Sequence, residues 1–324
     1  MSGYMLHRLQ LLQELERIAD SLFIDSSDTC AHMRSFWSLL STDMSFKQNV
    51  LHAYPRWQIP FWQGSLNDVF LVKPISTYEL IGIDGSQIYP DRHHPISCFL
   101  INMGVAHITY GLDHSVVNFS STPHILQGFT YEDGTYEVSR TVVNCLRQEL
   151  ELFTAVTYAQ QETNKKDSLV LVDGSLIFWH LQSSDVRMFE RFFPSYVHSL
   201  EQIREGELAV AGYISSPKGK DLVNVIRFAL EECPDKLKNI SAAMKNTDID
   251  RIVDTALISA FLPPFHRSTV FQYRSSLADQ YARLSAPYFF YLNTGIEIAR
   301  IEVPAWIAQE QLIIEKVSDF IMDQ

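Results

Sequence analysis

Apolar side chains at helical spacing predict a helix at each end of the chain. The first covers residues 4–23, where apolar residues recur at i, i+4, i+7 and i+11, the spacing of one helix face: Leu11, Leu15, Ile18 and Leu22. The second covers residues 305–322, directly after Pro304. We expect both apolar faces to pack against a second subunit or another partner; docking of the first helix on its own domain is the alternative.

Short apolar runs in the middle of the chain predict the strands of a mixed α/β sheet. A strand at 80–83 is followed by strands near 96–103 and 105–111, and Gly104 is expected to form a tight connection between the last two. Successive short strands with short connections indicate an antiparallel meander. Helices and strands then alternate, which indicates an α/β arrangement: a helix at 138–160, strands at 168–172 and 208–214, and a helix from about 219.

The segments around this region have less regular patterns. Residues 54–62 are aromatic and interrupted by prolines, which predicts a packed loop. Residues 241–285 are expected to be mainly helical with a break at Pro263-Pro264, and strands are predicted at 288–292 and 297–303. The sequence therefore predicts a helical and loop extension over residues 1–76, followed by one mixed α/β domain over residues 77–324.

Composition narrows the class of protein. The chain has 38 acidic and 26 basic residues, a net charge of −12, so we expect it to bind nucleic acid weakly without a partner or a local basic path. No apolar run approaches the roughly 20 residues that span a bilayer. The four cysteines include no CxxC pair, which favours a reducing cytoplasm over a disulfide framework or a zinc site.

The tripeptide Asp-Gly-Ser occurs twice, each time after an apolar run. Asp84-Gly85-Ser86 follows residues 80–83, and Asp173-Gly174-Ser175 follows residues 168–172. An aspartate at the exit of a rigid strand, followed by glycine, leaves room for a ligand to approach. Two such aspartates on adjacent strands could share divalent cations. Ordinary turn chemistry is the alternative for each copy.

A glutamate on the intervening helix is the third candidate. At about 100° per residue, Glu149 falls in the middle of an apolar face, whereas Glu151 is expected on the opposite side with Arg147 and Thr154. A lone carboxylate on an apolar face is costly to bury, so we expect Glu149 to face the two aspartates across a metal. The alternative is a glutamate at the rim of the face that reaches water.

Five short motifs, in order along the chain, resemble the NurA family of DNA nucleases: IGIDGS at 81–86, LVDGSL at 171–176, AGYISSPKG at 211–219, HRSTVF at 266–271 and ARIEVPAW at 299–306. The resemblance implies an RNase H-like fold and a DNA nuclease with two Mn²⁺ or Mg²⁺ ions. It also implies a homodimer that processes double-strand-break ends with the hexameric ATPase HerA. Carried over to this sequence, it makes Asp84, Glu149 and Asp173 the metal ligands and the catalytic set.

The sequence departs from the family in one respect, because it contains no Gly-Tyr-Pro…Ala-His motif after the final helix. The family's terminal histidine would then be replaced by Glu302 or His266, or the site would be completed by water and bind Mn²⁺ weakly. Ser86 and Lys218 are further accessory candidates, Lys218 through a phosphate contact. The alternatives are a catalytically impaired NurA-like subunit for assembly or DNA-end binding, and another RNase H-like phosphotransfer enzyme.

Overall fold

The structure is a computed structural model, and it describes most of the chain. The described residues are 8–22, 27–53, 57–90, 98–111, 113–127, 130–131, 134–135, 138–162, 164–182, 184–232 and 249–323.

The chain begins with three helices and two short strands. They are α1 (Arg8–Leu22), α2 (Ser27–Thr42), α3 (Met44–His52), β1 (Phe61–Trp62) and β2 (Val69–Leu71). Asp43 caps α3, because its carboxylate accepts hydrogen bonds from the backbone N–H groups of Ser45 and Phe46. The segment predicted as a loop over 54–62 thus ends in a strand, since β1 pairs with residues 271–272; residues 54–56 lie outside the described part of the chain.

Three long antiparallel strands form a meander, as predicted, but its third strand lies further along the chain than expected, and a short hairpin follows. They are β3 (Tyr78–Ile88), β4 (Cys98–Tyr110) and β5 (Val116–Gln127), with β6 (Thr130–Tyr131) and β7 (Gly134–Thr135) in the hairpin. The expected break at Gly104 was wrong, because β4 runs through it and Gly104 pairs with Asp84 of β3. The hydrogen bonds on both sides of Gly104 keep it extended within the sheet.

The next part alternates helices with parallel strands, as predicted. It consists of α4 (Arg140–Gln161), β8 (Ser168–Asp173), α5 (Val186–Glu205), β9 (Ala209–Ile214) and α6 (Asp221–Glu232). Strand β8 is parallel to β3, and β9 is parallel to β8. Ser139 begins α4 by accepting a hydrogen bond from the N–H of Val142, and Asp185 does the same for α5 through Met188.

The last part completes the sheet and covers one of its faces. It contains α7 (Asp254–Ile258), β10 (His266–Ser268), β11 (Phe271–Gln272), β12 (Pro287–Asn293), β13 (Ile298–Pro304), α8 (Ala305–Ala308) and α9 (Gln311–Met322). The helical prediction for 241–285 was wrong beyond Pro264, because β10 and β11 both pair with β12. Residues 233–248 lie outside the described part of the chain.

The order of the strands in the large sheet determines which helices pack on each of its two faces. Along the sheet it is β1-β11-β12-β13-β9-β8-β3-β4-β5, with β10 bridging β12 and β2. The predicted mixed sheet, an antiparallel meander followed by parallel strands as in RNase H-like folds, is therefore confirmed. Helix α4 packs on β3, β4 and α5 on one face, and α9 packs near β9 on the other.

The terminal helices differ in what buries them. In α9, the apolar residues Ile314, Val317 and Phe320 are buried within this chain. The expectation that this apolar face packs against a second subunit or another partner was therefore wrong. In α1, by contrast, Leu11 and Leu15 are exposed. No helix among the described residues is long and apolar enough to cross a membrane.

The N-terminal extension shares the core of the sheet. Side chains of α2 such as Phe36 and Trp37 belong to the same buried cluster as β3 and α4. Arg34 donates a hydrogen bond to the backbone oxygen of Ala256 in α7. The boundary between residues 76 and 77 stays a prediction, but the two parts pack as one body at these contacts.

Candidate active site

The sheet brings the two aspartates to neighbouring strands. The pairing of β3 with β8 ends at Ile83 and Val172, so Asp84 and Asp173 are the next residues on each strand. Residues Gly82, Asp84 and Ser86 alternate with the buried Ile81 and Ile83, and therefore lie on the sheet face opposite α4. The aspartate side chains are exposed, Asp84 to 66%. The pairing thus brings the two predicted aspartates to neighbouring positions in the sheet.

Helix α9 packs on this face near the start of β3 and β8, whereas among the described residues the part that carries the aspartates is lined by strands. An open cavity of about 420 Å³ lies over β9, β8, β3, β4 and β5. Its floor contains small residues, among them Gly82, Gly104 and Ala106, and Tyr213 and Phe119 also line it. Asp84 and Asp173 both border this cavity. A ligand can therefore reach the two carboxylates from solvent across a shallow floor.

The glutamate that faces this part of the sheet is Glu151, so the predicted orientation of α4 was wrong. Glu151 is 3% exposed, and its Oε1 accepts a hydrogen bond of 3.1 Å from the backbone N–H of Gly85, next to Asp84. Glu149 turns to the neighbouring helix instead, where Arg191 of α5 donates to it at 3.1 Å. Phe153, four residues after Glu149 and therefore on the same side of the helix, is 58% exposed.

Electrostatics couple Glu151 to both aspartates. Burial raises the pKa of Glu151 from 4.5 to about 7, and the negative charges of Asp84 and Asp173 add to this shift. Arg147 and the N–H of Gly85 act in the opposite direction and lower the pKa. Glu151 is thus a buried carboxylate whose ionisation is disfavoured by the charges of both aspartates.

A guanidinium lies between two of these carboxylates. Arg147 Nη1 is 3.1 Å from Glu151 Oε1 and 3.9 Å from Asp84 Oδ1, and it donates to the backbone oxygen of Gly85 at 2.9 Å. The Nε of Arg147 is buried and has no hydrogen-bond partner among the described residues. The carboxylates thus surround a place where positive charge is stabilised.

The loop after Asp173 is fixed by buried polar groups from several elements. Glu302 of β13 accepts hydrogen bonds from Ser175 Oγ at 2.6 Å and from the N–H of Leu176 at 3.0 Å. Gln148 of α4 donates to the backbone oxygen of Ser175 at 3.1 Å. Tyr196 of α5 donates to the backbone oxygen of Leu176 at 2.9 Å. Glu302 itself is 1% exposed and reaches no surface of the cavity.

A chain of charges continues behind Glu302. Arg300 donates to Glu302 Oε1 at 3.0 Å and to Asp221 Oδ2 at 2.5 Å. Asp254 is fully buried and accepts hydrogen bonds from the N–H groups of Leu222 and Val223 at the start of α6. Desolvation, with the negative charge of Asp221, raises the pKa of Asp254 to about 6. Glu302, a candidate replacement for the family's terminal histidine, thus pairs with Arg300.

The other accessory candidates lie in different surroundings. Ser86 is exposed on the same face as Asp84, two residues along β3, and Lys218 is exposed in the loop after β9. His266, the first residue of β10, contacts the backbone oxygen of Pro264 through Nδ1. Strand β10 is separated from β8 by β12, β13 and β9, about 19 Å at the usual strand spacing, so His266 does not reach the aspartates.

A group that the sequence analysis missed lies at the other end of the sheet. Among the described residues, the three possible metal ligands within 4.8 Å of one another are Glu79, His107 and Glu162, not the predicted set. His107 Nε2 is 2.9 Å from Glu79 and 3.8 Å from Glu162. Glu79 precedes Asp84 by five residues of β3, about 17 Å of extended chain. Only strand pairing and the end of α4 bring these residues together.

Comparison with known proteins identifies the family of this chain. The family model of the NurA domain matches residues 78–321. The chain is similar to the crystal structure of NurA with manganese, at 11% identity and a TM-score of 0.37 over 96% of this chain and 91% of that one. It is also similar to the crystal structure of NurA bound to dAMP and manganese, at 11% identity and a TM-score of 0.36 over 97% and 90%. None of the curated proteins matches the chain. Because the family model covers well over half of its length, the chain belongs to the NurA family.

Proposed function

We propose that the protein is a metal-dependent DNA nuclease whose ligands are Asp84, Glu151 and Asp173. The observation that carries the proposal is the placement of two exposed aspartates on adjacent strands with the buried Glu151 behind them. Glu149, the glutamate chosen from the sequence, pairs with Arg191 and is left out of the set. Membership of the NurA family supports the reaction class.

The donor set suits a hard divalent cation. All three side chains are carboxylates, the ligands that Mg²⁺ and Mn²⁺ favour. Manganese occurs in a crystal structure of NurA, and we assign Mn²⁺ or Mg²⁺ to this chain in a two-metal site.

The protein's own groups have separable roles in this proposal. When bound, the metal ions activate water and stabilise the leaving oxygen of the phosphodiester. The carboxylates of Asp84 and Asp173 would bind the metal ions at the open cavity. The DNA backbone would reach them there from solvent. Glu151 holds its carboxylate against Gly85, and Ser86 and Lys218 are accessory candidates at the edge of this surface.

The wider assembly is inferred from the family. We propose a homodimer that acts with a HerA-type hexameric ATPase at double-strand-break ends. The net charge of −12 supports a partner that holds the DNA, because few phosphates can be neutralised by the isolated chain. The exposed leucines of α1, including Leu11 and Leu15, offer an apolar contact for such an assembly.

Cleavage of end-labelled linear DNA by the full chain tests the proposal. Mn²⁺ should support cleavage and EDTA should stop it. Asp84→Asn and Asp173→Asn should each lower the rate by at least about 100-fold, since loss of even an outer partner of a metal ligand costs about 10–100-fold. Asp167→Asn is the matched control, because Asp167 directly precedes β8 and pairs with Lys316 at the other end of that strand.

Two results would contradict the proposal. Cleavage that persists in EDTA or in Asp173→Asn would remove the metal site from the reaction. Absence of cleavage by the folded wild-type chain, with and without a HerA-type partner, would favour the impaired-subunit alternative.

A further inference from the structure

We infer that Glu302 is a positioning residue that sets the orientation of Asp173 through the loop at Ser175 and Leu176. The inference rests on the proposed metal site. Glu302 does not touch the cavity, so any effect on the metal passes through the loop that follows Asp173.

The contacts of Glu302 occupy both of its oxygens. Oε2 accepts from Ser175 Oγ and from the N–H of Leu176, and Oε1 accepts from Arg300. Ser175 Oγ in turn accepts from the N–H of Ile177 at 3.0 Å and from Trp179 Nε1 at 2.9 Å. A single carboxylate therefore organises the turn that begins two residues after Asp173.

A glycine on β9, the strand between β13 and β8, allows the side chain of Glu302 to reach the loop after Asp173. Glu302 pairs with Gly212 of β9, and Gly212 pairs with Val172 of β8, so Glu302 must extend across β9 to meet the loop. A Cβ at Gly212 would lie 2.5 Å from the backbone oxygen of Gly174 and 3.2 Å from Leu176 N. The bare backbone of Gly212 leaves the loop close enough for Glu302 to bind it.

The chemistry requires a carboxylate and not its amide. Three donors point at Glu302, and a carboxylate accepts from all of them, whereas an amide NH₂ would face one donor with another. The buried charge is compensated by Arg300, which also binds Asp221 and stacks 3.8 Å above the ring of Phe289. Without such a partner a buried carboxylate would be strongly destabilising.

Titration of the full chain with Mn²⁺, with free Mn²⁺ measured by electron paramagnetic resonance, tests the inference. Glu302→Gln should weaken Mn²⁺ affinity by about 10–100-fold. Ser175→Ala should also weaken Mn²⁺ affinity, while leaving the Glu302–Arg300 pair intact. This second variant tests the inference if Glu302→Gln fails to fold. If Glu302 acts through Asp173, Glu302→Gln should cause no further loss in the Asp173→Asn background and a full further loss in Asp84→Asn.

The chain offers a matched control of the same chemistry. Glu201, near the end of α5, accepts hydrogen bonds from Ser285 Oγ and from Arg204, a second Ser–Glu–Arg group away from the aspartates. Glu201→Gln should leave Mn²⁺ affinity unchanged.

The outcomes separate the two claims. If the wild-type chain binds no Mn²⁺, the proposed metal site fails and the inference falls with it. If the wild type binds Mn²⁺ and Asp173→Asn loses it, but Ser175→Ala and Glu302→Gln bind normally, only the positioning role is overturned. An equal loss in Glu201→Gln would also overturn it, because the effect would then be one of general stability.

Discussion

The two Asp-Gly-Ser segments have the same sequence and different structures. Asp84 lies inside β3, which continues to Ile88 because β4 keeps pairing with it. Asp173 is the last residue of β8, and the chain turns away at Gly174 with φ of 114°. The third residues differ as well, since Ser86 is exposed and Ser175 is held by Glu302.

The two glycines are required for different reasons. At Gly85 an added Cβ would lie 2.4 Å from Met103 Cε, 2.6 Å from Arg147 Cγ and 2.7 Å from Glu151 Oε1. At Gly174 the same atom would meet nothing within 4 Å, but its backbone conformation is one that other residues rarely adopt. Gly85 lets Glu151 approach the strand, and Gly174 lets the chain turn behind Asp173. A repeated tripeptide can thus place two aspartates on adjacent strands through two unlike local structures.

The largest expected effect concerns the glutamate behind the first segment. Glu151→Gln should lower Mn²⁺-dependent DNA cleavage by at least about 100-fold, because it removes a carboxylate next to both aspartates. Glu149→Gln should leave the rate within a few-fold, since Glu149 pairs with Arg191 on α5. Both variants should be compared in the same cleavage assay, with circular dichroism to verify folding. The reverse pattern would restore the orientation of α4 predicted from the sequence.

Gly85→Ala tests whether the first glycine acts by making space. The new methyl group should push Glu151 aside and reduce cleavage by about 10–100-fold, as displacements near 1 Å can do. In the Glu151→Gln background the same substitution should add little, which a four-variant cleavage series would measure. Gly174→Ala should instead lower the free energy of unfolding by about 1–3 kcal/mol through backbone strain, whether Glu151 is present or not.

The charge network behind the second segment predicts a pH dependence. The unfolded chain ionises Asp254 near 3.8, whereas the folded chain does so only near 6, because of burial and the charge of Asp221. The folded state therefore binds the extra proton between these values, and its stability falls as the pH rises through them. Urea unfolding at pH 4 and pH 7 should show this decrease, at most about 3 kcal/mol, and Asp254→Asn should remove it. An unchanged pH profile in Asp254→Asn would contradict the raised pKa.

The two serines give the smallest expected difference. Ser86→Ala should change the free energy of unfolding by no more than about 0.5 kcal/mol, as is usual for exposed sites. Ser175→Ala should cost about 1–3 kcal/mol, because Glu302, Ile177 N and Trp179 Nε1 lose a buried partner. If both variants lower the free energy of unfolding equally in urea, the hydrogen bonds of Ser175 contribute no more to stability than the exposed Ser86 does.

Much of the sheet could be predicted because its strands are buried runs of apolar residues. The strands at 168–172 and 288–292 were expected and are observed as β8 and β12. The short strands β10 and β11 were missed, since two or three residues carry too little pattern to distinguish them from a helix or a loop. The continuation of β3 past Asp84 depends on β4, which an Asp-Gly-Ser turn signal does not reveal.

The sequence by itself determined the family, most of the strands of the sheet and the positions of the two aspartates along it, because those features depend on local apolar runs and short motifs. Only the tertiary structure decided which glutamate contacts β3 beside Asp84. Helix α4 packs against both the sheet and α5, so its apolar positions do not tell which side faces the strands. The distant partners of Ser175 were likewise invisible, since Glu302 lies 127 residues further along the chain. A contact between residues so far apart in sequence depends on the order of the strands in the sheet and on the absence of a side chain at Gly212. Neither can be predicted from the spacing of residues along the chain.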